Sequence, residues 1–229
     1  MISLNANPKE EGLTLLDSTK QAVGFLGSQI YYDPDEVNKG FAKINIGIEK
    51  YPDRLDMRFG KIYTLGQVER WEDFTNEIIK TVNYSNENNN AWEWSNNEVP
   101  ENGEKLFLNA LQDYQMQLYQ TGKDDLLINM RQIANAVLEH YPNHIESLTN
   151  LSITHLLVGE IDTALKSLRK AEKINPEDYI VLSNIAHAYN LKKDKSKSIE
   201  YYEKVIQYGD EDTKQYAVET IKRLKNQEN

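Results

Sequence analysis

The sequence predicts an all-α protein, an α-solenoid of about five antiparallel helix pairs that ends in a C-terminal capping helix. Two observations predict this class: a 34-residue repeat near the carboxyl terminus, and apolar residues that recur at helical spacing before and after it. Glycine (11 residues) and proline (6 residues) are scarce, which argues against a turn-rich β-sandwich or barrel. With 229 residues, the chain is long enough to bury a substantial core.

The repeat is clearest when residues 145–178 are aligned with residues 179–212. Each unit has two apolar helical faces separated by a turn, where Gly159 can supply a positive φ angle. We expect Pro176 to begin the following helix, because its missing N–H costs nothing at the first helical position. The matched positions are Leu148 with Leu182, Asn150 with Asn184, Leu151 with Ile185, Ser152 with Ala186, His155 with Tyr189, Ala164 with Ser198, Leu168 with Tyr202 and Ala171 with Val205.

This pattern resembles the tetratricopeptide repeat, a unit of 34 residues and two helices. The first unit departs from the family's aromatic residues at Leu148 and His155, and the second has Lys193 and Asp210 in place of Gly and Pro. The resemblance implies a right-handed solenoid whose concave groove holds a peptide or a partner protein without catalysing a reaction. The residues that carry it are Leu148, Leu151, Ser152, His155, Gly159, Ala164, Leu168, Ala171 and Pro176.

The repeat signal weakens toward the amino terminus but persists. Pro142 precedes Pro176 by one repeat, which predicts a degenerate helix pair over residues 102–142. Tyr51-Pro52 echoes Tyr141-Pro142. We therefore expect two further degenerate pairs over residues 9–82. Their helices are predicted to include residues 9–31, residues 35–50, a helix that contains Phe59 and Tyr63, and a helix that contains Trp71, Phe74 and Ile78.

A final helix over residues 211–226 is expected to cap the array, because the last repeat has no following neighbour to cover it. Its inward-facing residues are predicted to be Tyr216, Ala217, Ile221 and Leu224. Residues 1–229 are thus interpreted as a single helical repeat domain, interrupted by one Asn-rich insertion at 83–100 that contains Trp92 and Trp94. A loop of this length tends to be either functional or disordered.

Composition limits the classes of partner and of chemistry. The net charge of −10 argues against binding nucleic acid or an anionic membrane surface. The chain has no cysteine, and it lacks nucleotide-binding loops and a serine nucleophile turn, so no enzyme class and no cofactor is predicted. His140 and His144 stand four residues apart, but Pro142 between them should end the helix and separate them, so no metal site is predicted.

No apolar run is long enough to insert into a membrane, and the segment MISLNANPKEEG lacks the features of a secretory signal. As it stands, the chain is therefore expected to be cytoplasmic. If a signal or lipoprotein leader had been removed, a periplasmic or extracytoplasmic protein would read in the same way.

The resemblance implies that the first helix of each pair lines the groove. The candidate residues are Asp56, Phe59 and Tyr63 in the second pair, Glu146, Thr149, Asn150 and Ile153 in the fourth, and Ser183, Asn184, His187 and Asn190 in the fifth. An Asn side chain at the groove can grip a peptide backbone, or it can bond to neighbouring helices, and both readings of Asn150 and Asn184 remain open. The basic residues of a carboxylate clamp are missing beside them, so binding of a partner's terminal carboxylate is not predicted.

Two further alternatives remain open at this point. Trp92 and Trp94 can anchor a partner, as Trp often does at interfaces, or one of them can plug the gap beside the insertion. The rival to a protein-binding scaffold is a structural protein that associates with itself through its helical faces. The sequence identifies neither the partner nor the oligomeric state.

Overall fold

The computed structural model describes residues 23–26, 29–32, 34–89, 92–93 and 101–226. Apart from one short β-hairpin, its regular structure is helical, and the predicted all-α solenoid class is confirmed. The helices within this part of the chain are α1 (Pro34–Lys50), α2 (Leu55–Gln67), α3 (Trp71–Glu87), α4 (Gly103–Gln120), α5 (Leu127–His140), α6 (Ile145–Leu157), α7 (Ile161–Ile174), α8 (Tyr179–Leu191), α9 (Lys195–Tyr208) and α10 (Glu211–Asn226).

The chain divides into two compact units, which we call unit 1 (Met1–Gly122) and unit 2 (Lys123–Asn229). In unit 1, α1 packs on α2 and α2 packs on α3. In unit 2, each helix from α5 to α10 packs on the next, as expected for stacked helix pairs. A short 3-10 turn, Asp124–Leu126, leads into α5.

One continuous apolar core runs through unit 2. On α7, the buried residues Ala164, Leu168 and Ala171 fall on one helical face, as their spacing predicts. Close helix crossings require small residues here, and the buried Ser198 hydroxyl donates to the carbonyl of Ala186 at 2.9 Å. Around these residues the core is completed by Leu148, Val181, Leu182, Ile185, Ala188, Tyr202, Val205, Ala217, Ile221 and Leu224.

The turns of unit 2 explain where its helices end. Gly159 has φ = 78°, which confirms its expected role between α6 and α7. Helix α7 ends at Ile174, since Asn175 precedes Pro176 and is held extended at φ = −135°. The expectation that Pro176 begins the next helix is wrong. Asp178 is the N-cap of α8 instead, and its carboxylate accepts hydrogen bonds from the N–H groups of Ile180 and Val181.

The helix predicted at residues 9–31 is wrong where the structure describes it. Strand β1 (Val23–Leu26) pairs antiparallel with β2 (Gln29–Tyr32), so a hairpin precedes α1. The sequence carried a signal for it, because Gly27-Ser28 separates two runs rich in β-formers by two residues. Residues 9–22 lie outside the described part of the chain.

Two smaller predictions also need correction. The insertion predicted at 83–100 begins later, because α3 continues to Glu87. Helix α10 spans the expected residues, and Ala217, Ile221 and Leu224 are buried, but Tyr216 is 51% exposed and not directed inward. Its ring contacts that of Tyr202 in an edge-to-face arrangement, with 6.1 Å between the ring centroids.

Candidate partner-binding surface

Helices α6 and α8 are the first helices of the two clear repeats, and they lie side by side in unit 2. Positions four, seven and eleven residues apart form one stripe along each helix. The stripe of α6 has Glu146, Asn150, Ile153 and Leu157, and that of α8 has Ile180, Asn184, His187 and Leu191. We call these eight residues the first-helix face.

The α8 half of this face is open to solvent. Ile180 is 53% exposed and Leu191 is 42% exposed, which places an apolar side chain at each end of the stripe. Asn184 and His187 lie between them, Asn184 half-buried and His187 exposed. The predicted groove residues Ser183 and Asn190 are half-buried beside the stripe. The arrangement offers two apolar ends around a polar centre.

The two polar residues of this centre differ in what they can offer. The Asn184 side chain donates to the carbonyl of Ile180 at 2.8 Å, within its own helix. The amide oxygen Oδ1 has no partner among the described residues, so it can accept a hydrogen bond from a bound peptide. At His187, desolvation by neighbouring groups lowers the imidazole pKa from its ordinary value, which favours the neutral ring at pH 7.

The α6 half is more closed than the sequence predicts. Asn150 is 1% exposed, and Thr149 is also buried, with its hydroxyl donating to the carbonyl of Ile145. The aligned residues Asn150 and Asn184 therefore differ in accessibility. The burial of Asn150 favours the hypothesis that its side chain bonds within the protein and does not contact a peptide. Glu146 is exposed, Ile153 is half-buried, and Leu157 is exposed at the end of the stripe.

The candidate residues of the second pair lie in unit 1, and two of the three are used in packing. Asp56 is buried, and its carboxylate accepts two hydrogen bonds of 2.7 Å from the buried guanidinium of Arg54. Phe59 is half-buried, and its ring stacks on Phe107 with 6.4 Å between centroids. Only Tyr63, which is 49% exposed, is open to a partner.

Trp92 is 1% exposed, which supports the hypothesis that it fills the gap beside the insertion and contradicts a role as a partner anchor. Its indole N–H donates to the hydroxyl of Ser85 at 3.0 Å, and its ring lies 5.6 Å from that of Phe107. The Arg58 guanidinium stacks over Tyr84 and reaches the Trp92 ring. Trp94 lies outside the described residues.

A second surface was not found by sequence reasoning. Four basic residues of α7, at positions i, i+3, i+4 and i+7, lie along one side of the helix: Lys166, Arg169, Lys170 and Lys173. We call them the basic stripe. They line an open depression of the surface, about 600 Å³ in volume, together with Asp162, Leu165 and Tyr189. The i, i+3, i+4, i+7 spacing of the cations was the signal, and the overall negative charge of the chain obscured it.

His144 and His140 are separated as expected, because α5 ends at His140 and His144 is the N-cap of α6. Within the residues described, no three His, Asp or Glu side chains come together as metal ligands. The helices described by the structure include none with the length and apolar character needed to cross a bilayer.

Comparison with known proteins places the repeats in a family. The tetratricopeptide repeat model matches residues 145–178 and 180–208. No curated protein matches the chain. The solved structures that resemble it include YrrB, described as a TPR protein with an unusual peptide-binding site, at 14% identity over 81% of this chain and 84% of YrrB, with a TM-score of 0.51. MamA from Desulfovibrio magneticus RS-1 is similar at 9% identity over 89% of this chain and 96% of MamA, with a TM-score of 0.51. At these identities the likeness shows the fold alone.

Proposed function

Since residues 145–178 and 180–208 are tetratricopeptide repeats, we propose that the chain is a non-catalytic scaffold that binds a segment of a partner protein on the first-helix face. The observation that carries the proposal is the open stripe of α8, where exposed Ile180 and Leu191 flank Asn184 and His187. YrrB offers a precedent for peptide binding by a protein of this fold.

The chemistry of the stripe favours an extended or helical segment with two apolar side chains. Covering Ile180 and Leu191 removes apolar surface from water, which contributes about 1.5–3 kcal/mol for each side chain that becomes fully buried. A hydrogen bond from the segment to Asn184 Oδ1 contributes less, about 0.5–1.5 kcal/mol. The apolar ends should therefore determine affinity, and Asn184 should fix the position of the bound backbone.

Selection of peptides from a displayed random library against the full chain tests the proposal. The selected peptides are then measured by calorimetry against variants of the face. We expect Ile180→Ala/Leu191→Ala to weaken binding more than Asn184→Ala/His187→Ala. A matched control is Ile174→Ala, because Ile174 on α7 is an isoleucine of comparable exposure outside the face.

Two results would contradict the proposal. One is that Asn184→Ala/His187→Ala and Ile180→Ala/Leu191→Ala both bind every selected peptide as tightly as the unaltered chain does. The other is that Ile174→Ala weakens binding as much as the face variants do. Light scattering over a concentration series distinguishes binding of a partner from self-association of the chain. A molar mass that rises with concentration, and that falls back to the monomer value in Ile180→Ala/Leu191→Ala, would assign the face to a second copy of the chain.

A further inference from the structure

The basic stripe concentrates positive charge in a chain whose net charge is −10. Its central cation, Arg169, is held within the protein. The guanidinium contacts Glu172, donates to the hydroxyl of Tyr189 at 2.9 Å, and also contacts the hydroxyl of Tyr201. Lys170 donates to the carbonyl of Pro142. Arg169 and Lys170 are therefore fixed by contacts of the fold.

The two ends of the stripe differ from its centre. Among the described residues, neither Lys166 nor Lys173 has a carboxylate within ion-pair distance, and both are exposed. Of the described residues that line the depression, Asp162 is the one with an acidic side chain, and it is paired with Lys192 at 2.5 Å. The available charge at this surface is thus positive: Lys166 and Lys173 carry it on either side of Arg169, and Lys170, bonded to a neutral carbonyl, keeps its charge as well.

From these contacts we propose that the basic stripe is a second docking surface, and that its occupant is an acidic segment of a partner protein. Lys166 and Lys173 stand seven residues apart on α7, which at a rise of 1.5 Å per residue separates them by about 10 Å. A peptide in the polyproline II conformation has three residues per turn and advances about 3.1 Å per residue, so carboxylates three residues apart lie on the same side with nearly the same spacing, about 9 Å. The open depression that both lysines line can accommodate the side chains of such a segment.

Charge also decides between a short acidic segment and a long polyanion. At physiological salt, charges more than about 8 Å apart at a surface are largely screened, so the stripe attracts a few carboxylates in spite of the distant negative charge. A nucleic acid would extend past the stripe over a chain of net charge −10. The stripe shares no residue with the first-helix face, so the two surfaces can be tested separately.

Fluorescence anisotropy with a short synthetic peptide that has glutamate at every third position tests this proposal on the full chain. A peptide with glutamine at the same positions is the probe control. We expect binding of the glutamate peptide to weaken with added salt, and to weaken about tenfold in Lys166→Gln/Lys173→Gln. The matched control, Lys222→Gln/Lys225→Gln, removes the same charge from exposed positions of α10 and should change binding less than twofold.

Several outcomes would overturn the proposal. Equal weakening of glutamate-peptide binding in Lys166→Gln/Lys173→Gln and in Lys222→Gln/Lys225→Gln would show that binding depends only on the net charge of the chain. Equal binding of the glutamine peptide would remove the role of the carboxylates. Loss of glutamate-peptide binding in Asn184→Ala/His187→Ala would move the peptide to the first-helix face. Tighter binding of a random-sequence oligonucleotide, also lost in Lys166→Gln/Lys173→Gln, would assign the stripe to a polyanion. Asn184→Ala/His187→Ala binding as the unaltered chain does would support two separate surfaces.

Discussion

Lys193 lies one repeat after Gly159 and holds the same left-handed backbone conformation, with φ = 63° against 78°. Both residues stand at the turn from the first to the second helix of their repeat. Glycine takes this conformation without strain, whereas a side chain with a Cβ atom takes it at a cost of about 1 kcal/mol. The second repeat therefore keeps the turn of the family pattern without its glycine.

Lys193→Gly is expected to stabilise unit 2 by about 0.5–1 kcal/mol, because it relieves the strained conformation at an exposed position. Urea unfolding measured by circular dichroism checks this value. Gly159→Ala is the reciprocal variant, and it should destabilise by about 1 kcal/mol, since no atom lies within 4 Å of the added Cβ and only the backbone strain remains. Destabilisation by Lys193→Gly would contradict the strain argument.

The repeat alignment predicted backbone geometry better than it predicted accessibility. It placed the two helices and the turn of each repeat, because these follow from local spacing and from residues such as Gly159. It could not separate Asn150 from Asn184, because exposure depends on which neighbouring side chains cover a position. For the same reason Thr149 was predicted in the groove and lies buried.

In unit 1 the sequence pattern predicted less, since degenerate repeats leave the non-local contacts unspecified. Asp56 was interpreted as a groove residue, but its carboxylate is buried and pairs with the buried guanidinium of Arg54, two residues earlier in the chain. Trp92 belongs to an Asn-rich segment that resembles a solvated loop, yet the residue beside it, Glu93, forms a parallel bridge with Arg54. Neither contact follows from helical periodicity.

The N-cap of α6 gives unit 2 a predicted pH dependence. The Nδ1 atom of His144 accepts a hydrogen bond from the N–H of Ser147 at 3.3 Å, which requires this nitrogen to be unprotonated. Burial lowers the His144 pKa below its ordinary value, and the nearby Glu146 only partly opposes this effect. The unfolded chain therefore binds the proton more readily than the folded chain does.

The sign follows from this difference. The contribution of His144 to the free energy of unfolding is complete above the unfolded pKa of about 6.5, and it is lost as the pH falls from there through the lower folded pKa. We expect His144→Asn, which retains a capping side chain, to lose less stability than the unaltered chain between pH 7.5 and pH 5 in urea unfolding. His144→Ala should cost about 1 kcal/mol at pH 7.5. If the free energy of unfolding depends on pH identically in His144→Asn and in the unaltered chain, His144 is not the source of this pH dependence.

The buried pair Arg54–Asp56 should be the most sensitive polar contact of unit 1. Asp56→Ala leaves the guanidinium of Arg54 buried without its two-point partner, which is expected to destabilise the fold by about 3–5 kcal/mol. Asp73→Ala is a matched control, because Asp73 pairs with Arg70 in a half-exposed contact that should contribute less than about 1 kcal/mol. Similar losses of unfolding free energy in the two variants would show that burial does not set the strength of the Arg54 pair.

Trp92 is expected to hold its segment against α2 and α3 and to act through packing rather than through a partner. Trp92→Ala removes a buried ring that contacts Tyr84 and Phe107, so unfolding free energy should fall by about 3–5 kcal/mol. Trp92→Phe retains an aromatic ring and loses the hydrogen bond to Ser85, with an expected loss of about 1–2 kcal/mol for that bond before any repacking.

Denaturant unfolding of Trp92→Ala and Trp92→Phe, together with near-ultraviolet circular dichroism, measures whether the two losses of unfolding free energy differ as expected. Arg58 supplies an internal check, because its guanidinium lies 4.3 Å from the Tyr84 ring centre and 5.7 Å from that of Trp92. In the Trp92→Ala background, Arg58→Met should cost less than it does in the unaltered chain, since one aromatic partner has already been removed. Strictly additive losses would mean that the Arg58–Trp92 contact contributes nothing, and unchanged stability in Trp92→Ala would return Trp92 to the list of candidate partner anchors.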